Sequence, residues 1–212
     1  MSLHFHILKE SGRLDRYISQ VEKVCKDAEK KIVQVLPVKN VDIVIQDNPY
    51  YAIPEKGMGG HTRTPHIVVV SIDPASPALS ANFNEELLDT LAHELHHAAR
   101  WQTVGYGETL LQTMVSEGLA DHFASETVGE KYVQPWDKAL TPEQFNENSE
   151  KAKQEFNNKD YNHSEWFFGS KERHIPRWAG YTLGYQLVEK YLHNHAGQTA
   201  ASLYKTKAEE FL

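Results

Sequence analysis

Cysteine is almost missing from this 212-residue chain. Cys25 stands alone, so no intramolecular disulfide can form, and a reducing compartment is the simpler expectation. Cys25 lies among helix-spaced apolar residues and is expected to be a packing residue. An excess of positive charge is missing too: 22 basic residues face 29 acidic ones, for a net charge of -7. That balance speaks against a nucleic-acid partner, which calls for clustered basic residues. Long apolar runs are also absent. No stretch approaches the roughly 18 residues of a membrane span. The opening MSLHFHILKE has no basic region followed by an apolar stretch, so no signal peptide is read there and a cytoplasmic location is expected. No internal repeat or low-complexity block appears. What is present is ordinary: 40% hydrophobic and 24% charged residues, enough for a core. The length suits one domain, 1–212.

The strands come early and the helices late, which predicts an α+β fold with a small antiparallel or mixed sheet and a mainly helical C-terminal part. Leu14, Ile18, Val21, Ala28, Ile32 and Val35 recur at helical spacing until Pro37. VDIVIQ at 41–46 and HIVVVSIDP at 66–74 are β-branched strands, and the intervening KGMGGHTRTP at 56–65 reads as a glycine-rich loop. Asn82 to Glu85 fits a capping box opening a helix to about Gln102. VGYGE breaks it, and a second helix is expected over 109–127. TPEQ at 141–144 starts a capped helix in a polar segment, 137–165, expected to be a surface helix or a flap. A last core helix is expected over 175–193.

LAHELHHAAR, at 91–100, places three histidines and a glutamate inside a helix that should pack leucines. His93, Glu94 and His97 fit H-E-x-x-H. Residues four apart share one helix face, so two imidazoles can reach one metal ion while Glu94 holds a water beside it. Leu87, Leu88, Leu91 and Leu95 bury the rest of the helix. His96 lies to one side and is assigned to packing or a supporting role. A third ligand is needed, and VSEGLADHFA offers Glu117 on a return helix; His122 is the competing candidate. Two histidines and a carboxylate leave one position open, as a catalytic zinc site requires. Manganese, cobalt and iron remain compatible with these donors. Asp121, one turn after Glu117, is placed to accept from the outer nitrogen of His93.

HELHHAAR, VSEGLADHFA, WFFG and PRWAGYTLGYQLVEKYL together resemble a bacterial family of predicted Zn-dependent proteases, catalogued mainly as a domain of unknown function. H-E-x-x-H with the downstream Glu117 and Asp121 also resembles the gluzincin class of metallopeptidases. The resemblance spans about Asn40 to Leu192. It implies a minimal gluzincin core, in which the edge strand of a small sheet runs over the active-site helix, and it implies peptidase chemistry.

On that reading Zn2+ is held by His93, His97 and Glu117, and Glu94 is the general base. Tyr181, Tyr185 and His174 are the candidates for the second donor to the oxyanion. A peptide or protein substrate is expected to extend along HIVVVSIDP, with Gly57 to Gly60 at one end of the cleft. His61 and His66 are candidate lining residues, although loop histidines are commonly just solvated. Trp166, Phe167 and Phe168 are candidate walls, with ordinary core as the alternative. The rival functions are a zinc-dependent ester or small-amide hydrolase, a non-catalytic metal-binding protein, and a protease kept latent by a partner or by 137–165. Oligomeric state is left open.

Overall fold

A computed structural model describes residues 3–80, 82–129, 132 and 134–212. It is a mixed α+β structure. Four strands, β1 (Leu3–Leu8), β2 (Val41–Asp47), β3 (Met58–Thr64) and β4 (Ile67–Ile72), form a sheet in the order β1-β2-β4-β3. The first three in that order run parallel, and β3 runs antiparallel to β4. A parallel β1–β2 pair needs a crossover, which α1 (Ile18–Val35) supplies. Val41, Ile43 and Ile45 alternate with more exposed residues along β2, as do Val68 and Val70 along β4. One sheet face is therefore packed, and α1 and α2 (Phe83–Trp101) contribute to the core it covers.

Two expectations are corrected here. The stretch read as a glycine-rich loop is strand β3, and the N-terminal segment, not read as structure, is β1. Glycine argues against strands because it has no side chain to pack and loses most entropy. Here it marks close approach instead. A Cβ on Gly59 would overlap the Tyr51 carbonyl oxygen, and one on Gly60 would lie 2.5 Å from Glu94 Cγ. β4 is consequently an interior strand, and β3 is the edge that lies over α2.

The remaining helices are α3 (Leu110–Val128), α4 (Pro142–Glu155), α5 (His163–Phe168) and α6 (Ala179–Asn194). None in the described residues is long and apolar enough to cross a membrane. The expected capping box at Asn82 is absent: Asn82 precedes α2 without a side-chain cap bond. Boxes form instead at Thr109 with Gln112 and at Thr141 with Gln144. The last helix begins at Ala179 because Pro176 and a left-handed Trp178, φ 70°, precede it. The polar insert supplies α4, a helix with Asn148 and Ala152 buried, beside α3 and α6.

Gly118 of α3 faces Gly184 of α6. A Cβ on Gly118 would overlap the Gly184 carbonyl, and a Cβ on Gly184 would overlap the Met114 carbonyl. These glycines bring α3 to α6. Backbone cannot yield to a methyl group as a side-chain end can. Gly184→Ala is therefore expected to cost about 2–3 kcal/mol of stability, from a urea or thermal melt. A loss under about 0.5 kcal/mol would show that the crossing is loose.

Candidate metal centre

His93, Glu94 and His97 project from the middle of α2, and Glu117 comes from α3, its antiparallel neighbour. The two histidine Nε2 atoms are 3.0 Å apart, and each is 3.3 Å from Glu117 Oε2. Three donors about 2.0–2.1 Å from one tetrahedral ion would stand about 3.3 Å apart. The triangle in the protein has nearly those edges, so the donor set fits a zinc ion. His93, His97 and Glu117 are the cluster among the described residues that could hold a metal.

The outer nitrogens are also supported. His93 Nδ1 lies 2.9 Å from Asp121 Oδ1, and His97 Nδ1 lies 3.1 Å from Ser116 Oγ. Asp121 accepts from His93 Nδ1 and Ser116 Oγ can accept from His97 Nδ1, an arrangement compatible with neutral rings whose Nε2 lone pairs face the shared point. Burial works to raise the Glu117 pKa, but the imidazoles of His97 and His93 outweigh it and hold the carboxylate ionised. Burial works to depress the His93 pKa, and Asp121, Glu117 and Glu94 raise it well above the usual value.

Glu94 is fixed from above. Thr62 Oγ1, on β3, lies 2.7 Å from Glu94 Oε2 and 2.8 Å from its backbone oxygen. One hydroxyl proton serves one of them at a time. With Gly60 beside Glu94, strand β3 forms the roof of the site. A chamber of about 80 Å³ is lined by His93, Glu94, Gly60, Lys56, Trp136 and Tyr181, among others.

Of the three candidate oxyanion donors, the structure brings only Tyr181 to the cluster. Burial raises its pKa well above the usual tyrosine value, followed by the charges of Glu117, Asp121 and Glu94. Tyr185 is not among the residues lining the chamber: its ring stacks on His122, 4.0 Å between centroids, and burial, then Asp137 and Glu189, push its hydroxyl up to about 12. His174, at φ 52°, lines a different concavity with Gln144 and Glu147. His122 lies outside the cluster of His93, His97 and Glu117, and its Nε2 lies 3.1 Å from the Tyr185 carbonyl oxygen. His96 is a core residue whose Nε2 lies 3.2 Å from the Ala200 carbonyl oxygen. His61 lines a neighbouring concavity with Gln46 and Val69 that is bounded by Gly59 and Gly60, and exposed His66 reaches the Asn40 carbonyl. Trp166 and Phe167 are core, while Phe168 is exposed. Cys25 is buried, and burial pushes its thiol up to about 12.

Other residues at the site were not singled out from sequence. Tyr106, read only as part of a helix-breaking segment, packs its ring 5.0 Å from His97. Burial, then Glu117 and Glu94, raise its pKa well above the usual value. Ser116 and Thr62 are small polar residues with no pattern of their own. Asp137 is fully buried, accepts from the Gln134 backbone N–H at 2.8 Å and faces Asp121. Two carboxylates can share a hydrogen bond only if one keeps a proton. Burial, then the Asp121 charge, push the Asp137 pKa up to about 9.

Because that value lies above the unfolded one of about 4, the contribution of protonated Asp137 is full below pH about 4 and is lost as pH rises toward 9. An asparagine can accept from Gln134 and donate to Asp121 without titrating. Asp137→Asn is expected to flatten the loss of stability with rising pH, and to raise the melting temperature at pH 8 by about 3 °C or more. An unchanged pH profile would show that no proton is held there.

A histidine pair, one buried and one partly so, joined by a carboxylate from the next helix under the edge strand of a small mixed sheet, defines an α+β protein with a candidate metal centre. The chain belongs to the family described as predicted Zn-dependent protease (DUF2268), whose model matches residues 21–212. It is 31% identical over 128 residues to the uncharacterized protein YjaZ of Bacillus subtilis (strain 168), covering 58% of this chain and 48% of the relative. It is 26% identical over 153 residues to the uncharacterized protein YjfC of the same organism, covering 66% and 50%. The chain thus spans about half the length of these curated relatives. No solved structure matches it. The family is predicted to be Zn-dependent, and His93, His97 and Glu117 could hold that metal.

Proposed function

We propose that this chain, as one domain over residues 1–212, is a zinc-dependent peptidase of gluzincin type. The observation that carries the reading is the arrangement of His93, His97 and Glu117 with Glu94 beside them, its carboxylate fixed by Thr62. When bound, zinc at this site supplies Lewis-acid activation of a water and of the scissile carbonyl. Glu94 takes the proton from the attacking water and delivers it to the leaving amine. Asp121 and Ser116 orient the two imidazoles. Tyr181 and Tyr106, both kept protonated by burial and by the carboxylates around them, donate toward the oxygen that gains negative charge. An extended peptide pairs with the edge of β3 rather than with β4, which has a neighbour on each side. The overall negative charge speaks against a nucleic-acid substrate.

The test is elemental analysis of the purified chain, followed by a peptide-library digest read by mass spectrometry with and without a chelator. Near one zinc per chain and chelator-sensitive cleavage are expected. No metal uptake after reconstitution with zinc would overturn the mechanism. Within that assay, Tyr181→Phe is expected to lower kcat by about 10²-fold with zinc content retained. A loss below about 3-fold would remove Tyr181 from the oxyanion role.

A further inference from the structure

Exposed aromatic side chains are concentrated beside the metal cluster. Tyr50, Tyr51 and Phe168 expose 86%, 60% and 58% of their surfaces, although they come from segments more than a hundred residues apart. All three line one cavity of about 380 Å³, together with Trp136 and Trp178. Such a volume suits a large side chain or a small ligand. Leaving three aromatic faces in water at one place is unfavourable unless something covers them.

The cavity is continuous with the site. It shares Ile53, Gly59, Gly60, Trp136 and Tyr181 with the chamber that holds His93 and Glu94. Gly59 and Gly60 belong to the edge strand, so at these two positions it adds no side chain of its own to the cavity. Its one charged lining residue, Arg177, is already satisfied: Nη1 donates to Glu55 Oε1 at 2.8 Å, and the guanidinium lies 4.1 Å from the Trp178 ring centroid. Among the described residues no other charged side chain lines the cavity. Trp178 itself sits in the left-handed backbone region, a conformation a bulky residue adopts only when its surroundings hold it there.

We infer that this cavity is a specificity subsite for a large aromatic side chain of the peptide, beside the scissile bond. The inference rests on the peptidase reading for the bond, but its test does not need cleavage. The occupant is a peptide residue because the cavity opens along β3, where a substrate backbone would pair and where alternate side chains stand on one face. It is aromatic because the walls are flat rings that can stack on it or meet it edge to face.

The experiment uses the zinc-reconstituted full chain carrying Glu94→Gln, which would bind without turnover. Calorimetry measures binding of acetylated, amidated hexapeptides in which Ala, Glu, Lys, Leu, Phe or Trp is walked through every position. At one position, Phe and Trp are expected to bind about 20-fold or more tighter than Ala. Adding Tyr51→Ala and Phe168→Ala is expected to shrink that ratio to below about 3-fold. Both residues are exposed, so the melting curve should hold; Tyr51→Phe with Phe168→Tyr should restore the ratio. The inference is overturned if no position prefers aromatics, if Lys or Glu is preferred, if no peptide binds, or if the preference survives the double substitution. Aromatic preference in binding, with no cleavage by the wild type, would leave the subsite standing and remove the peptidase reading. Cleavage without aromatic preference would do the reverse.

Discussion

Glu94→Gln is expected to lower kcat for peptide cleavage by about 10³-fold while zinc content stays near one per chain. The two effects separate because Glu94 is not among the three converging donors. Its carboxylate is held by Thr62 Oγ1 at 2.7 Å, and a carboxamide oxygen can accept the same bond. The side chain should therefore keep its place and its packing under Gly60. What is lost is the ability to take a proton from water and return it. Initial-rate kinetics beside metal analysis on the same preparation check this. Activity within about 10-fold of wild type would mean that another group moves the proton.

Glu117→Ala is expected to act on the metal first. Removal of groups that merely orient metal ligands costs about 10–100-fold in affinity, so loss of a direct donor should exceed about 100-fold. Zinc should then be stripped by dialysis against a weak chelator that leaves the wild type loaded. The melting temperature of the variant should no longer rise with added zinc, since a ligand stabilises only the state that binds it. Glu117→Gln, with one neutral carbonyl oxygen, should fall between the two. Full zinc retention by Glu117→Ala would move the third ligand elsewhere and leave Glu117 as a partner of the two histidines.

The centre of the site was legible because its residues share periodicities. His93 and His97 lie one helical turn apart, as do Glu117 and Asp121; the first pair sits in a helix with a leucine stripe, and the second in a helix buried on nearly every side. The rest was not legible, for physical reasons. Tyr106 sits in a break between helices, where sequence shows only turn chemistry. Asp137 opens a polar segment whose average composition hides single buried residues, and Trp136 directly precedes it. Tyr181 and Tyr185 are four apart in one helix, and composition could not say which one faces the metal cluster. Their fates are opposite: one lines the chamber, and the other stacks on His122. The sheet was half legible. β2 and β4 carry β-branched runs, but β3 contains two glycines required by the approach of Tyr51 and Glu94. β1 depends on a parallel partner that a crossover helix must bring to it.

The contact between Gly118 and Gly184 has a consequence for how the site can fail. Glu117 precedes the first of these glycines, and Tyr181 lies just under one turn before the second. A metal ligand and a hydroxyl donor are thus referenced to one point where two backbones touch. Thermal opening of that contact would not loosen one group and spare the other. It would displace both together, so the centre should behave as an all-or-none assembly: complete while the crossing is closed, and dismantled in a single step when it parts.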